Sequence, residues 1–303
     1  MKLAVYRKDR RNFLGVMAGS GLVDVSPWGL EASGASVDGI EPLHWCGYIS
    51  LVMRELPSLQ AYVADRQHIC VDLETVELLP PLVRPGKIVA IGTNYRDHAA
   101  EVGRDNKAAD ADQEISAEPR LLGIFPSSIA APCSTLKMPS SVKKLDFEAE
   151  LAVIIGKPGK DVAEQAALSH VFGYMTANDF SAREYQFDIQ PPQTTRAKSM
   201  DGFTPLGPWI TTADEITDPQ QLSVRCWVNG QPVQNGHTGQ MQFGVASLIA
   251  RISTQFSLHP GDLILTGTPA GCGAFQKPPR YLRSGDVVRT EVEQLGELIT
   301  TIA

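Results

Sequence analysis

Apolar runs in this chain are short. None approaches the roughly 20 residues a membrane-spanning helix needs, which argues against a bilayer span. Positive charge is also in deficit: 27 Lys and Arg stand against 34 Asp and Glu, a formal net charge of −7 with a pI near 5.4. A mildly acidic surface excludes nucleic acid and anionic membrane as principal partners. The five cysteines, Cys46, Cys70, Cys133, Cys226 and Cys272, form no C-x-x-C pair and are odd in number. Reduced, mostly buried thiols in the cytoplasm are therefore expected. The opening "MKLAVYRKDRR" carries charge where a signal peptide needs its apolar segment, which argues against secretion. Neither a phosphate-binding G-x-x-x-x-G-K-[ST] nor a dinucleotide-binding G-x-G-x-x-G occurs in the glycine-rich "LTGTPAGCG" at 265–273.

The composition that remains is globular: 303 residues, 43% hydrophobic and 20% charged, enough for one large or two moderate domains. "KLAVYR" and "FLGVMAGSGLVDVS" predict strands, the latter turning at Gly19-Ser20-Gly21. Between Trp45 and Asp65 the apolar residues recur at helical spacing, with Pro57 dividing the segment. The proline-rich "LLPPLVRPGK" at 78–87 marks a boundary between a small N-terminal β-rich domain, 1–80, and a second domain, 85–303.

Beyond it, "KIVAIGTNY" predicts a strand and "YRDHAAEVG" a short helix. The polar stretch 103–119 is a solvated loop or a lid. "RAKSMDGFTPLGP" at 196–208 is a loop rich in Gly and Pro. Strands are expected at "AELAVIIGK", "SVRCWVNGQPV", "DLILTGTP" and "DVVRTEVEQLGELITTI", and helices at 161–169 and 244–257. Without regular strand–helix alternation the class is α+β, mainly β.

Chemistry concentrates in a few places. In "LDFEAELAVIIGK", 145–157, strand alternation turns Asp146, Glu148 and Glu150 to one side. Burying such acids unpaired costs several kcal/mol each, which a hard divalent cation would offset. An edge strand with a solvated acidic face is the alternative, but apolar residues continue on both faces of the tail. Asp179, in "GYMTANDFSAREYQ", is a helix cap or a ligand. Arg183 and Gln186 are three apart and can share a face. Lys198 lies in a Gly- and Pro-rich context where lysines usually decorate a surface. His98 and Glu101, three apart in "NYRDHAAEV", are a bland surface pair or an imidazole oriented by a carboxylate as general base. The Thr268 hydroxyl or the backbone of "LTGTPAGCG" can meet a small anion.

In order, "IVAIGTNYRDHAAE", "LDFEAELAVIIGK", "GYMTANDFSAREYQ", "RAKSMDGFTPLGP" and "LHPGDLILTGTPAGCG" resemble the motifs of the fumarylacetoacetate hydrolase family over roughly 85–303. The resemblance implies a mixed β-sandwich roll, usually dimeric, and a Mg²⁺ or Mn²⁺ (or Ca²⁺) site on Glu148, Glu150 and Asp179. It also implies a catalytic His98–Glu101 dyad on a lid helix that closes over the metal, with the charged stretch 103–119 as the rest of the lid. Lys198 would act on substrate oxygens, with Arg183, Gln186 and Thr268 binding substrate. Relatives often carry a lysine where Ile124 stands, before "FPSSI", which tilts the expectation away from dicarboxylates. The implied activity is metal-dependent hydrolysis of a C–C bond in a 2,4-dioxo acid. Decarboxylation or tautomerisation of an oxaloacetate-like acid, or hydration or isomerisation of a dienoate, stand second on the same site. A non-catalytic binding protein is disfavoured because His98, Glu101 and Lys198 are all present. A cytoplasmic homodimer acting on a small oxo acid is expected.

Overall fold

The computed structural model describes residues 1–33, 45–105 and 117–303. Strand Ala149–Ile155 is buried along its whole length. Its two edges are hydrogen-bonded, to Val171–Asn178 on one side and Leu263–Leu265 on the other. Leu151, Val153 and Ile155 enter one core, while Ala152 and Ile154 enter another. The edge-strand alternative is thereby removed, because both faces and both edges are covered.

This strand sits inside a twelve-stranded sheet. The order runs from Val71–Asp72 through Gly21–Asp24, Arg11–Ala18, Lys2–Lys8, Thr204–Thr212, Val171–Asn178, Ala149–Ile155, Leu263–Leu265 and Ile88–Gly92 to Arg120–Ile124 at the far edge. Lys2 pairs with Thr211 and Leu3 with Ile210, so the N-terminal strands continue the same sheet. A second sheet of five strands is built from Gln231–His237, Ser223–Val228, Val287–Val292, Gly296–Ile302 and Cys133–Leu136. Val224, Val228, Val288 and Val292 share a core with Leu151 and Val153 of the large sheet. Two sheets packed through alternating inward residues make a sandwich. The opposite face of the large sheet packs under Trp45, Ile49, Val52 and Leu59 of the N-terminal region. The mainly β, α+β class expected from the sequence is the one found.

Several local expectations shift. Residues 204–208 are strand rather than loop: Thr204–Thr212 pairs with both Val171–Asn178 and Lys2–Lys8. Its prolines hid it, since proline cannot donate to a ladder. The sheet accommodates them with a register shift between Tyr174 and Thr176. The stretch 286–302 is a hairpin of two strands, Val287–Val292 and Gly296–Ile302. The expected helix at 161–169 shrinks to Glu164–Ala167 followed by one 3-10 turn. Helix Ile49–Arg66 does break, at Glu55, two residues before Pro57. Asn229 and Gly230 both take positive φ, as a two-residue hairpin turn of the type I′ class requires. Cys226 and Cys272 are buried, whereas Cys70 and Cys133 are exposed, so burial of the thiols is only partial. The lid expected over 103–119 falls largely on 106–116, which lie outside the described residues. Among the described residues no helix is long and apolar enough to cross a membrane.

Candidate active site

Register brings the acids together. Ala149 pairs with Asn178, and one step further the Asp179 N–H donates to the Glu148 carbonyl at 2.9 Å. The Asn178 side chain accepts from the Glu148 N–H at 3.1 Å, locking the same junction. Glu148, Glu150 and Asp179 each offer an oxygen, and these oxygens lie within 4.8 Å of one another. All three residues are buried. Asp179 Oδ1 is buried and accepts no hydrogen bond among the described residues.

Asp146 departs from the alternation that the sequence suggests. It belongs to a separate two-residue ladder, Leu145–Asp146 with Ser181–Ala182, and the Phe147–Glu148 step breaks the pleat. Its carboxylate accepts from the Gly273 and Ala274 N–H groups at 2.7 and 3.0 Å and from Arg183 Nε at 2.8 Å.

Two cations counter the acids. Lys198 Nζ donates to Glu148 at 2.7 Å, Asp179 at 2.5 Å and Ser181 Oγ at 2.9 Å, which uses all three of its donors. Arg183 holds Asp146 through Nε and Gln186 through Nη1, and its Nη2 makes a 2.7 Å ion pair with Glu148 outside hydrogen-bond alignment. Four buried carboxylates against two cations leave the cluster short of two positive charges. The protonation equilibria register the shortage. Burial, reinforced by Asp179 and Glu148, pushes the Glu150 carboxyl well above the usual carboxylate range. Burial, joined by the charge of Glu148, wins over Lys198 and pushes Asp179 up to about 6. Burial alone would raise Glu148 too, but Lys198 and Arg183 outweigh it and hold that group at about 2. A hard dication fits this set: the donors are carboxylate oxygens, one is unpartnered, and the charge deficit matches.

His98 and Glu101 lie on helix Arg96–Asp105. His98 Nδ1 is 3.0 Å from Glu101 Oε2, and Glu101 also accepts from the Gly271 N–H at 3.1 Å. A carboxylate on Nδ1 fixes the tautomer that donates there and leaves Nε2 as proton acceptor. The ring packs edge-on against Phe275, with centroids 5.5 Å apart.

The glycine-rich loop serves the protein's own acids. Gly267 N–H donates to Glu150 at 2.7 Å, as Gly271 does to Glu101. Gly271 has φ +111°, and a Cβ there would lie 2.0 Å from the Val233 carbonyl oxygen, so only glycine fits. Thr268 Oγ1 donates to the Ala149 carbonyl and accepts from Gln234, both at 2.8 Å.

A cavity of about 250 Å³ gathers these groups: His98, Glu148, Asp179, Arg183, Lys198 and Thr268 all line it. Glu150 lies behind that wall. Every site residue singled out in the sequence is therefore in or against one cavity, Gln186 included. Sequence reasoning missed Ser181, which positions Lys198, and Gln234, which ties the second sheet to Ala149 and Thr268. Ser181 lay inside a motif already singled out; nothing in the sequence marked Gln234.

The family model "Fumarylacetoacetate (FAA) hydrolase C-terminal" matches residues 87–303. A mitochondrial oxaloacetate tautomerase of Xenopus laevis is 42% identical over 243 residues, 80% of this chain and 73% of that protein. Among solved structures, a probable 2-hydroxyhepta-2,4-diene-1,7-dioate isomerase from Mycobacterium abscessus matches with a TM-score of 0.79 and 29% identity, covering 100% of this chain and 98% of that one. A Sphingobium maleylpyruvate hydrolase in complex with manganese(II) and pyruvate matches with a TM-score of 0.76 and 27% identity, covering 100% and 99%.

Proposed function

Because this chain belongs to the fumarylacetoacetate hydrolase family, we propose that it is a metal-dependent enzyme that interconverts the keto and enol forms of a small, oxaloacetate-like 2-oxo acid. The observation that carries this reading is His98, held by Glu101, lining the same cavity as Glu148 and Asp179. The sequence ranked C–C hydrolysis first. The order changes because the 42%-identical relative is named an oxaloacetate tautomerase.

Glu148, Glu150 and Asp179 would hold Mg²⁺ or Mn²⁺, with Ca²⁺ admissible on the same oxygen donors. The bound ion would supply Lewis-acid stabilisation of negative charge on the 2-oxo oxygen. In the keto-to-enol direction, His98 Nε2 takes a proton from C3 of the acid. The C–H electron pair becomes the C2–C3 double bond, and the carbonyl pair moves to the oxygen. Glu101 stabilises the imidazolium so formed. The ammonium of Lys198 offsets charge on the enolate side of the site once it exchanges one of its carboxylate partners for substrate. Arg183, held by Asp146 and Gln186, keeps Glu148 in position, and Thr268 fixes the loop that carries Gly267. The imidazolium then gives that proton, directly or through water, to the enolate oxygen, which completes the enol and resets His98; in the reverse direction His98 takes the O–H proton and delivers it to C3.

A second reading keeps the same residues. Drawing the proton from water instead would lead to cleavage of a 2,4-dioxo acid, and the similarity to the maleylpyruvate hydrolase supports it. Oxaloacetate enol absorbs in the near ultraviolet, so its decay after mixing tests the first reading directly. Acceleration by the Mn²⁺-loaded protein that EDTA abolishes is the expected result. No acceleration with enol oxaloacetate, together with cleavage products from acylpyruvates, would replace the first reading with the second. Inertness toward both classes would remove the enzymatic reading. We further propose a homodimer working on a diffusible acid in the cytoplasm, checked by light scattering of the purified protein and by fractionation of cells.

A further inference from the structure

Leu265 pairs with Ala152 on one side and with Ala90 on the other. Ala90 in turn pairs with Leu122, so one row runs Ala152, Leu265, Ala90, Leu122; Glu150 and Arg120 lie two residues before its two end members, and Gly92 pairs with Arg120 on the edge strand Arg120–Ile124. Residues in one row point to one face, and three strand spacings put the Cα atoms of Glu150 and Arg120 roughly 14 Å apart. Gly92 leaves that face open beneath Arg120: a Cβ there would meet the Arg120 Cδ at 3.1 Å and Cγ at 3.4 Å. The arginine stem lies across the glycine, and Arg120 lines the same cavity as Leu122, Glu148 and Asp179.

Among the described residues lining this cavity, Arg120 is the cation without a carboxylate partner. Lys198 is saturated by Glu148, Asp179 and Ser181, and Arg183 is committed to Asp146, Gln186 and Glu148. Among the described residues no hydrogen bond or ion pair engages the exposed Arg120 guanidinium. Ile124, two pleats along the same face, is buried opposite Ile88 and cannot supply charge. The chain thus carries its cation at 120 rather than at 124.

Resting on the oxaloacetate-like 2-oxo acid reading above, we propose that Arg120 is the residue that recognises the distal carboxylate of that substrate. This reverses the tilt toward monocarboxylates that Ile124 suggested. The 2-oxo carboxylate end lies at Glu148 and Asp179, the apolar wall of Leu122 and Ala90 flanks the middle, and a guanidinium takes the far carboxylate through charge-assisted hydrogen bonds.

Calorimetric titration of the Mn²⁺-loaded full chain with oxaloacetate and with pyruvate tests this independently of turnover. Wild type is expected to bind oxaloacetate more tightly than pyruvate. Arg120→Met is expected to weaken oxaloacetate about 10- to 100-fold, as loss of a hydrogen bond to a charged group does, with pyruvate affinity within twofold of wild type. Arg120→Lys should recover part of the loss. Equal weakening of both acids, or a wild type that does not distinguish them, overturns the proposal. Because the readout is binding, a protein that discriminates the two acids yet leaves enol oxaloacetate unaccelerated would retain the dicarboxylate site while losing the tautomerase reading. Arg120 is exposed on an edge strand, so its variants are expected to fold normally.

Discussion

Glu150→Gln should make this protein more stable without metal and less able to use metal. Glu150 is 1% exposed and its carboxylate has one hydrogen-bond donor, the Gly267 N–H. It faces Asp179 and Glu148 with oxygens no more than 4.8 Å apart. At that distance and an effective dielectric of about 20, each like-charge pair repels by roughly 3.5 kcal/mol. Attraction to Lys198 cancels about one of the two pairs, while burial and the neighbouring Asp179 and Glu148 charges keep the carboxyl well above the usual carboxylate range. A net gain of about 1–3 kcal/mol is expected for the neutral amide in EDTA. For a chain of this size that is several degrees in Tm. Adding millimolar Mn²⁺ should raise wild type by more than the variant, because an amide oxygen replaces an anionic ligand. Thermal unfolding of both proteins, with EDTA and with Mn²⁺, reads all four values. A variant less stable than wild type in EDTA, with an undiminished response to Mn²⁺, would refute both the charge-deficit argument and the assignment of Glu150 to the cage.

Lys198→Met should lower turnover about 10²- to 10³-fold, the range seen when a preorganised charge-stabilising donor is deleted, while calorimetry still records Mn²⁺ uptake. In EDTA the same variant should lose about 3–5 kcal/mol in denaturant unfolding, because two buried carboxylates lose their shared partner. Gly271→Ala should destabilise by about 2 kcal/mol or more, from positive φ and the approach to Val233, and should lower kcat by displacing the donor that holds Glu101. The stabilisation by Mn²⁺ should grow as pH rises through about 6. The folded-state carboxyl of Asp179 is raised above its unfolded value, so without metal its contribution to stability falls as pH rises from the unfolded pKa through about 6, whereas metal binding needs the ionised form. A Mn²⁺-induced Tm shift that is equal at pH 5 and pH 7 would contradict this.

Local pattern carried much of the architecture. Strand Ala149–Ile155 announced itself by an unbroken apolar run, and the Asn229–Gly230 hairpin by its turn residues, because both are set by interactions within a few residues. Thr204–Thr212 did not, since its prolines contradict strand propensity and only pairing on both sides overrides them. The helical spacing of His98 and Glu101 was legible for the same local reason: three residues on a helix place two side chains in reach.

The acids show where local reading stops. Alternation made neighbours of Glu148 and Glu150, and it wrongly added Asp146, because a pleat break at Phe147 depends on a partner strand far along the chain. That Asp179 meets Glu148 was decided by strand register, and that Lys198 bridges them by the placement of the short helix Thr194–Lys198 that carries it. The row that aligns Arg120 with Glu150 crosses four strands drawn from four distant segments. Residue types and spacing fixed which groups were available for chemistry. Which of them share a cavity, and with what net charge, was settled by nonlocal pairing, since no local interaction specifies a register between segments a hundred residues apart.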